Sequence, residues 1–183
     1  MYNAFNSNLV NLYRCVRDKP NKLKYKLRYV LNPREDFDWI AILHKRKLFP
    51  RLRAMDRAAK FYQLIRYSYA SGLDSYSCQP HSMLSDFPQI DMASRRLQKV
   101  VIENRDFEKL IRQYDSLVSF FYCDPPYFAT EDYYKYVGFT TADHIRLRDT
   151  LLKCSGKFLV SYIALRFGKF GTNPTFTLKK SAG

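Results

Sequence analysis

Apolar positions along the chain recur first at helical spacing and later at strand spacing. Leu9, Leu12, Tyr13 and Val16 share one face of a helix that Ser7 can cap, and Pro20 lies just beyond its end. From about 21 to 69 the pattern stays helical. It is broken at Asn32-Pro33 and Phe49-Pro50, because the residue before a proline is pushed out of helical geometry. A polar stretch rich in Ser, Gly and Pro, about Ser71 to Pro88, reads as a long loop. Beyond it strands and helices alternate. A strand is expected at Lys99 to Glu103, a helix at Phe107 to Tyr114 capped by Asp106, and a buried strand at Leu117 to Tyr122. A helix from Asp143 to Leu152 and a strand at Lys157 to Tyr162 follow. Such alternation predicts an α/β fold with a parallel sheet, and open parallel sheets bind ligands beyond the carboxyl ends of their strands. The helical stretch between the first helix and the alternating part reads as an insertion.

Composition adds a partner. Thirty-one Lys and Arg against seventeen Asp and Glu leave a formal charge of +14, which suits a polyanion. The excess is local: between Lys45 and Arg66, eight basic residues face one acid, Asp56. Lys45, Arg46, Lys47, Arg51, Arg53 and Arg66 are therefore candidate DNA contacts, with a solvated helix face as the alternative. Phe49, Phe61, Tyr62, Tyr67, Tyr69 and Tyr76 lie among these cations, and neutralisation plus stacking is what nucleic acids reward, although core packing takes several of the rings.

At 183 residues and 46% hydrophobic content the chain can build one domain plus an insertion. No apolar run approaches the roughly twenty residues that span a bilayer, and the N-terminus lacks a signal-peptide pattern, so a soluble, cytoplasmic protein is expected. Cys15, Cys78, Cys123 and Cys154 have no paired spacing, and His44, His81 and His144 do not join them in a metal pattern, so no metal site is expected. His144 has a helical setting that suits packing or surface roles.

Asp124-Pro125-Pro126-Tyr127 carries the chemistry. It follows the apolar run Leu117 to Tyr122, and a chance match to these four residue types is on the order of one in a thousand for a chain of this length. Methyl transfer to an exocyclic amine of a base needs such a site. The amine lone pair is delocalised into the ring, so two acceptors must draw its hydrogens out of conjugation. Asp124 supplies a carboxylate and Pro125 a carbonyl. Consecutive prolines fix φ and restrict the residue before them, which holds those oxygens in place. Tyr127 can stack on the base, worth about 1–3 kcal/mol in single-strand binding. The alternative is an accidental strand-ending turn.

With these residues the chain resembles the Dam-type, alpha-class, S-adenosylmethionine-dependent DNA adenine methyltransferases, whose catalytic motif reads Asp-Pro-Pro-Tyr. Asn6-Ser7-Asn8-Leu9-Val10-Asn11-Leu12-Tyr13 is similar to the family segment that follows the second cofactor strand. Glu131-Asp132-Tyr133-Tyr134, Phe139, Asp143-His144 and Leu147 are similar to the loop and helix after the catalytic motif. The resemblance covers most of Tyr2 to Tyr162. It implies a partial Rossmann-like methyltransferase sheet with an inserted helical target-recognition region, DNA as partner and S-adenosylmethionine as cofactor. Asn6, Asp106 and Phe107 are then candidate cofactor contacts, with simple N-capping as the alternative for Asp106.

Two departures weaken the cofactor side. The family's glycine-rich loop lies upstream of the segment that begins here at Met1, and Phe167-Gly168-Lys169-Phe170-Gly171 is a superficial echo at the wrong end. Ala4 stands where the family has the acidic residue for the cofactor ribose, so cofactor binding is expected to be weakened or lost. The implied division is 1–19 as a remnant of the cofactor-binding half, 20–96 as the basic target-recognition region, 97–162 as the catalytic segment and 163–183 as a divergent, poorly ordered tail. A frameshifted or artificially ended reading frame would account for that tail. Adenine methylation in DNA is the expected function, ahead of methylation of RNA or a free base. The alternative is an inactive DNA-binding remnant or one half of a split enzyme, and an exposed sheet edge would favour self-association or a missing N-terminal half.

Overall fold

The computed structural model describes residues 1–29, 34–69, 72–78, 82–126 and 138–161 and divides into two units, Met1–Asn104 and Arg105–Gly183. It is mixed α/β with short parallel sheets.

The first unit is mostly helical. Strand β1 (Tyr2–Asn3) leads into α1 (Ser7–Asp18), which is capped by Asn6 and not by Ser7. Asn6 is extended, and its side chain accepts from the backbone N–H of Asn8 at 2.9 Å and of Leu9 at 3.4 Å. The Ser7 hydroxyl instead accepts from Arg57 at 2.6 Å, and so is committed elsewhere. The N–H of Lys19 closes α1 on the Cys15 carbonyl, and Pro20 opens α2 (Pro20–Leu27). Proline can start a helix because the first N–H has no intrahelical acceptor. Then come α3 (Arg34–Lys45), a 3-10 turn at Phe49–Arg51 and α4 (Ala54–Tyr67). Asn32-Pro33 lies outside the described residues; Phe49-Pro50 separates helices as its sequence predicts.

Helix α4 packs against α1, α2 and α3. Their inward residues, including Leu12, Val16, Leu23, Leu27, Phe37, Ile40, Phe61 and Leu64, form one buried cluster. Fully burying such a side chain contributes about 1.5–3 kcal/mol.

The long loop expected to Pro88 ends sooner. Met83–Asp86 is a second 3-10 turn, and Phe87–Leu97 is helix α5, with Pro88 in its first turn. Asp86, only 1% exposed, explains the change. Its carboxylate accepts from the Tyr62 hydroxyl at 2.9 Å and from Arg66 at 3.0 and 3.1 Å, which pins the turn to α4. Before it, Ser68 and Tyr76 form an isolated antiparallel bridge, and the N–H of Ser77 donates to the Tyr67 carbonyl at 2.7 Å.

Strand β2 is Ile102–Glu103, shorter than the expected Lys99 to Glu103, because a turn from Leu97 to Val100 follows α5. It pairs in parallel with β1, Tyr2 opposite Ile102 and Asn3 opposite Glu103. Arg14 donates to the Ile102 carbonyl at 2.9 Å, and Asn104 donates to the Ala4 carbonyl at 2.7 Å, which ties the ends of both strands.

The second unit contains α6 (Phe107–Tyr114), β3 (Phe120–Cys123), α7 (Thr141–Lys153) and β4 (Lys157–Val160). Strands β3 and β4 pair in parallel from Phe120 opposite Lys157 to Cys123 opposite Val160, with α7 as the crossover. The buried strand expected at Leu117 to Tyr122 therefore starts three residues later. Leu117 and Val118 lie in the preceding turn, 80% and 94% exposed. Within β3 only Phe121 is buried, since successive side chains point to opposite faces. Phe121 packs with Ile111, Leu147, Leu151 and Cys154, while Phe120 and Tyr122 face outward.

Gly156 sets this register. A methyl group there would lie 2.8 Å from the Ser119 carbonyl oxygen and 3.0 Å from that of Ser116, closer than atoms pack. The Asp115 carboxylate accepts from the N–H groups of Ser155 and Gly156 at 2.8 and 2.9 Å, and the N–H of Lys157 donates to Ser119 at 2.8 Å.

Candidate functional site

Asp124, Pro125 and Pro126 emerge directly from the carboxyl end of β3, where a parallel sheet presents its ligands. Asp124 is exposed, and its carboxylate accepts from the Ser161 hydroxyl just past β4. The N–H of Ser161 in turn donates to the Cys123 carbonyl at 2.9 Å. The strand end and the acidic side chain are thus held by one residue that sequence reasoning did not single out. Its place at the end of the neighbouring parallel strand was the available signal. Neither proline has an N–H, so the segment offers acceptors: a carboxylate and the proline carbonyls. Burial, then Cys154, pushes the Cys123 thiol up to about 11, which keeps it a protonated packing residue and no nucleophile. Tyr127 lies outside the described residues, as do Glu131-Asp132-Tyr133-Tyr134 and His81.

Asp106 and Phe107 stand together at the start of α6, where Asp106 is an N-cap. One oxygen accepts from the backbone N–H of Glu108 and Lys109 at 3.1 and 3.3 Å, and the other from Arg146 at 2.8 Å. Burial works against its charge, but the Arg146 bond and the backbone donors outweigh it and hold the carboxyl below its ordinary range. The Arg146 guanidinium lies 4.2 Å above the Phe107 ring, and Phe139 packs tilted beside that ring at 5.8 Å. Arg146 was not visible as a site residue from sequence, since its partners lie up to 40 residues away. Asn6, the remaining candidate for the cofactor, caps α1.

These residues fit the adenine end of S-adenosylmethionine. Asp106 has three hydrogen bonds against about four acceptor positions on a carboxylate, which leaves capacity for an exocyclic amine, and Phe107 offers an apolar ring beside it. The ribose end is not matched at Ala4, whose methyl side chain accepts nothing and whose carbonyl is taken by Asn104.

The basic candidates separate into two groups. Lys45 at the end of α3 and Arg46 and Lys47 just after it are exposed, with Lys47 at φ 55°, and Arg51 and Arg53 are exposed around the first 3-10 turn. Arg66 instead forms the ion pair with Asp86. Three of the interleaved rings, Phe49, Phe61 and Tyr67, belong to the core, and the first two pack around His44 at 5.4 and 6.1 Å. Burial lowers the His44 pKa, with Asp74 opposing, so that imidazole stays neutral. Tyr69 is exposed. Lys60 lies 4.5 Å over the Trp39 ring. Among the described residues no cluster of His, Cys, Asp and Glu could hold a metal ion, and no helix is long and apolar enough to cross a membrane.

The model of the D12 class N6 adenine-specific DNA methyltransferases matches residues 1–169. The chain is also similar to the Type II methyltransferase M1.LlaDCHI of Lactococcus lactis subsp. cremoris. Identity is 26% over 174 residues, which covers 85% of this chain and 61% of the relative. The chain thus spans about three fifths of the length of that curated relative.

Proposed function

The chain belongs to the D12 class N6 adenine-specific DNA methyltransferase family, and on that premise we propose that Asp124 to Tyr127 form the methyl-acceptor site for an adenine of DNA. The observation that carries the reading is Asp124 at the carboxyl end of β3, fixed by the Ser161 hydroxyl. Asp124 and the Pro125 carbonyl accept the two amine hydrogens, which draws the nitrogen lone pair out of the purine ring. The Ser161 bond and the rigid prolines restrain these acceptors, which supports catalysis by positioning more than by basicity. Tyr127 stacks on the extruded base and offsets part of the few kcal/mol that unstacking costs.

S-adenosylmethionine, when bound, supplies the methyl group. Asp106 and Phe107 would hold its adenine, and Asn6 is a further candidate contact. Residues 20–96 serve as the target-recognition region and 97–162 as the catalytic segment of a Rossmann-like, Dam-type enzyme. The Type II relative supports a place in a restriction-modification system.

The test is transfer of labelled methyl from S-adenosylmethionine to DNA, with calorimetry of cofactor binding beside it. Asp124→Ala is expected to lower transfer about a hundredfold or more while cofactor affinity stays unchanged. A wild-type chain that binds DNA but no S-adenosylmethionine would replace this reading with the DNA-binding remnant.

A further inference from the structure

Helix α2 turns Leu23 and Leu27 into the core and presents Lys22, Tyr25 and Lys26 to solvent, with Tyr29 exposed in the turn that follows it. Tyr25 and Tyr29 are 62% and 74% exposed, and their rings meet edge to face at 6.3 Å. Two adjacent aromatic rings left in water forfeit apolar burial, which singles out this surface from an ordinary solvated helix face. Next to them is a shallow cleft of about 520 Å³ whose lining includes Asn21, Lys22, Tyr25, Lys26, Arg53 and Asp56. Arg53 comes from the turn before α4, so the fold brings together cations that are separated by some thirty positions in the sequence.

The chemistry of the lining is that of a phosphodiester contact. Lysine, arginine, asparagine and the tyrosine hydroxyl are the side chains that donate to backbone phosphates. Three cations face one carboxylate, Asp56, which pairs with Lys26 at 2.8 Å, so the cleft keeps a net positive charge. Lys24, whose ammonium binds Asp91 at 2.6 Å, is not available to it. We propose that this cleft is a sequence-independent contact for the sugar-phosphate backbone of duplex DNA. It extends the basic surface at Arg51 and Arg53 onto α2 and rests on the DNA-substrate reading above. Charge complementarity favours the duplex: each phosphate neutralised releases counterions, and a chain of formal charge +14 gains from that release.

The experiment is fluorescence anisotropy of the full chain with a fluorescein-labelled duplex across a salt series. The slope of log affinity against log salt should fall in magnitude by about 1.8 in Lys22→Ala/Arg53→Ala, since each lost phosphate contact removes about 0.9. The charge-keeping pair Lys22→Arg/Arg53→Lys should restore it, and circular dichroism melts of both should match the wild type. Tyr25→Ala should weaken binding with little change of slope. An alanine pair with the wild-type slope overturns the cleft assignment alone, whereas a wild-type chain that fails to bind the duplex at any salt overturns the DNA reading with it. Dependence on these residues for binding phosphatidylserine vesicles, with an unaltered DNA slope, would assign the cleft to a membrane surface instead.

Discussion

Arg146 gathers Asp106, Glu108 and Asp143 around one guanidinium, at 2.8, 3.4 and 2.8 Å, and lies over the Phe107 ring. A single side chain on α7 therefore fixes both candidate adenine contacts on α6. The Asp143 carboxyl is held low by the Thr140 backbone N–H and then by Arg146, and that of Asp106 is low through Arg146 and its capping bonds against the effect of burial. Both folded-state values lie below the unfolded ones, so this stability is present above about pH 4 and is lost as pH falls through the depressed values. Arg146→Met should cost about 1–2 kcal/mol in urea unfolding at neutral pH, a modest figure because the pairs are partly exposed. The difference from wild type should shrink on acidification to the part that the Phe107 contact contributes. Aspartate before an apolar helical pattern made the Asp106 cap legible in advance. The capping box of Thr140 and Asp143 was equally local, yet the reach of Arg146 across 40 residues leaves no periodic trace.

Among the elements, helices α1, α6 and α7 were legible from repeating apolar residues, and α2 to α4 as one helical stretch broken at prolines. Helix α5 was not. It begins within a Ser- and Pro-rich stretch, and the buried Asp86 that organises its start reads in sequence as one more loop acid. Strands β2, β3 and β4 were found with misplaced ends, and β1, only two residues long, was not. An apolar run marks a strand only where a partner supplies hydrogen bonds, and Leu117 and Val118 precede the first pairing at Phe120 opposite Lys157. The register between β3 and β4 depends on Gly156, against which the Ser119 carbonyl closes at a distance no side chain permits. Gly156→Ala should destabilise the protein by about 1–3 kcal/mol, read as a lower urea midpoint. An unchanged midpoint would show that the turn adjusts without disturbing the strands.

For the molecule as a whole, the charge excess was the most direct statement of the sequence, and the fold distributes it without neutralising it. Individual ion pairs use up Arg66, Arg146 and Lys24, but the formal sum stays at +14. Like charges repel in the closed state more than in the unfolded chain. The melting temperature should therefore rise by a few degrees between about 0.1 and 1 M salt as the Debye length falls from about 10 to 3 Å. A fall over that range would mean that attractive pairs dominate. The tetrapeptide and the family were readable at this scale because a short rigid motif needs no tertiary context. The sorting of cations into paired and open sets needed the folded arrangement, since Arg53 and Lys22 line one cleft only there.

The grip of Ser161 on Asp124 reaches the carboxylate from downstream, across 37 residues. The position of the Asp124 carboxylate is therefore set from the end of β4 as well as from the strand that carries it. Replacing Ser161 would accordingly loosen an acid 37 residues upstream while leaving its own strand untouched.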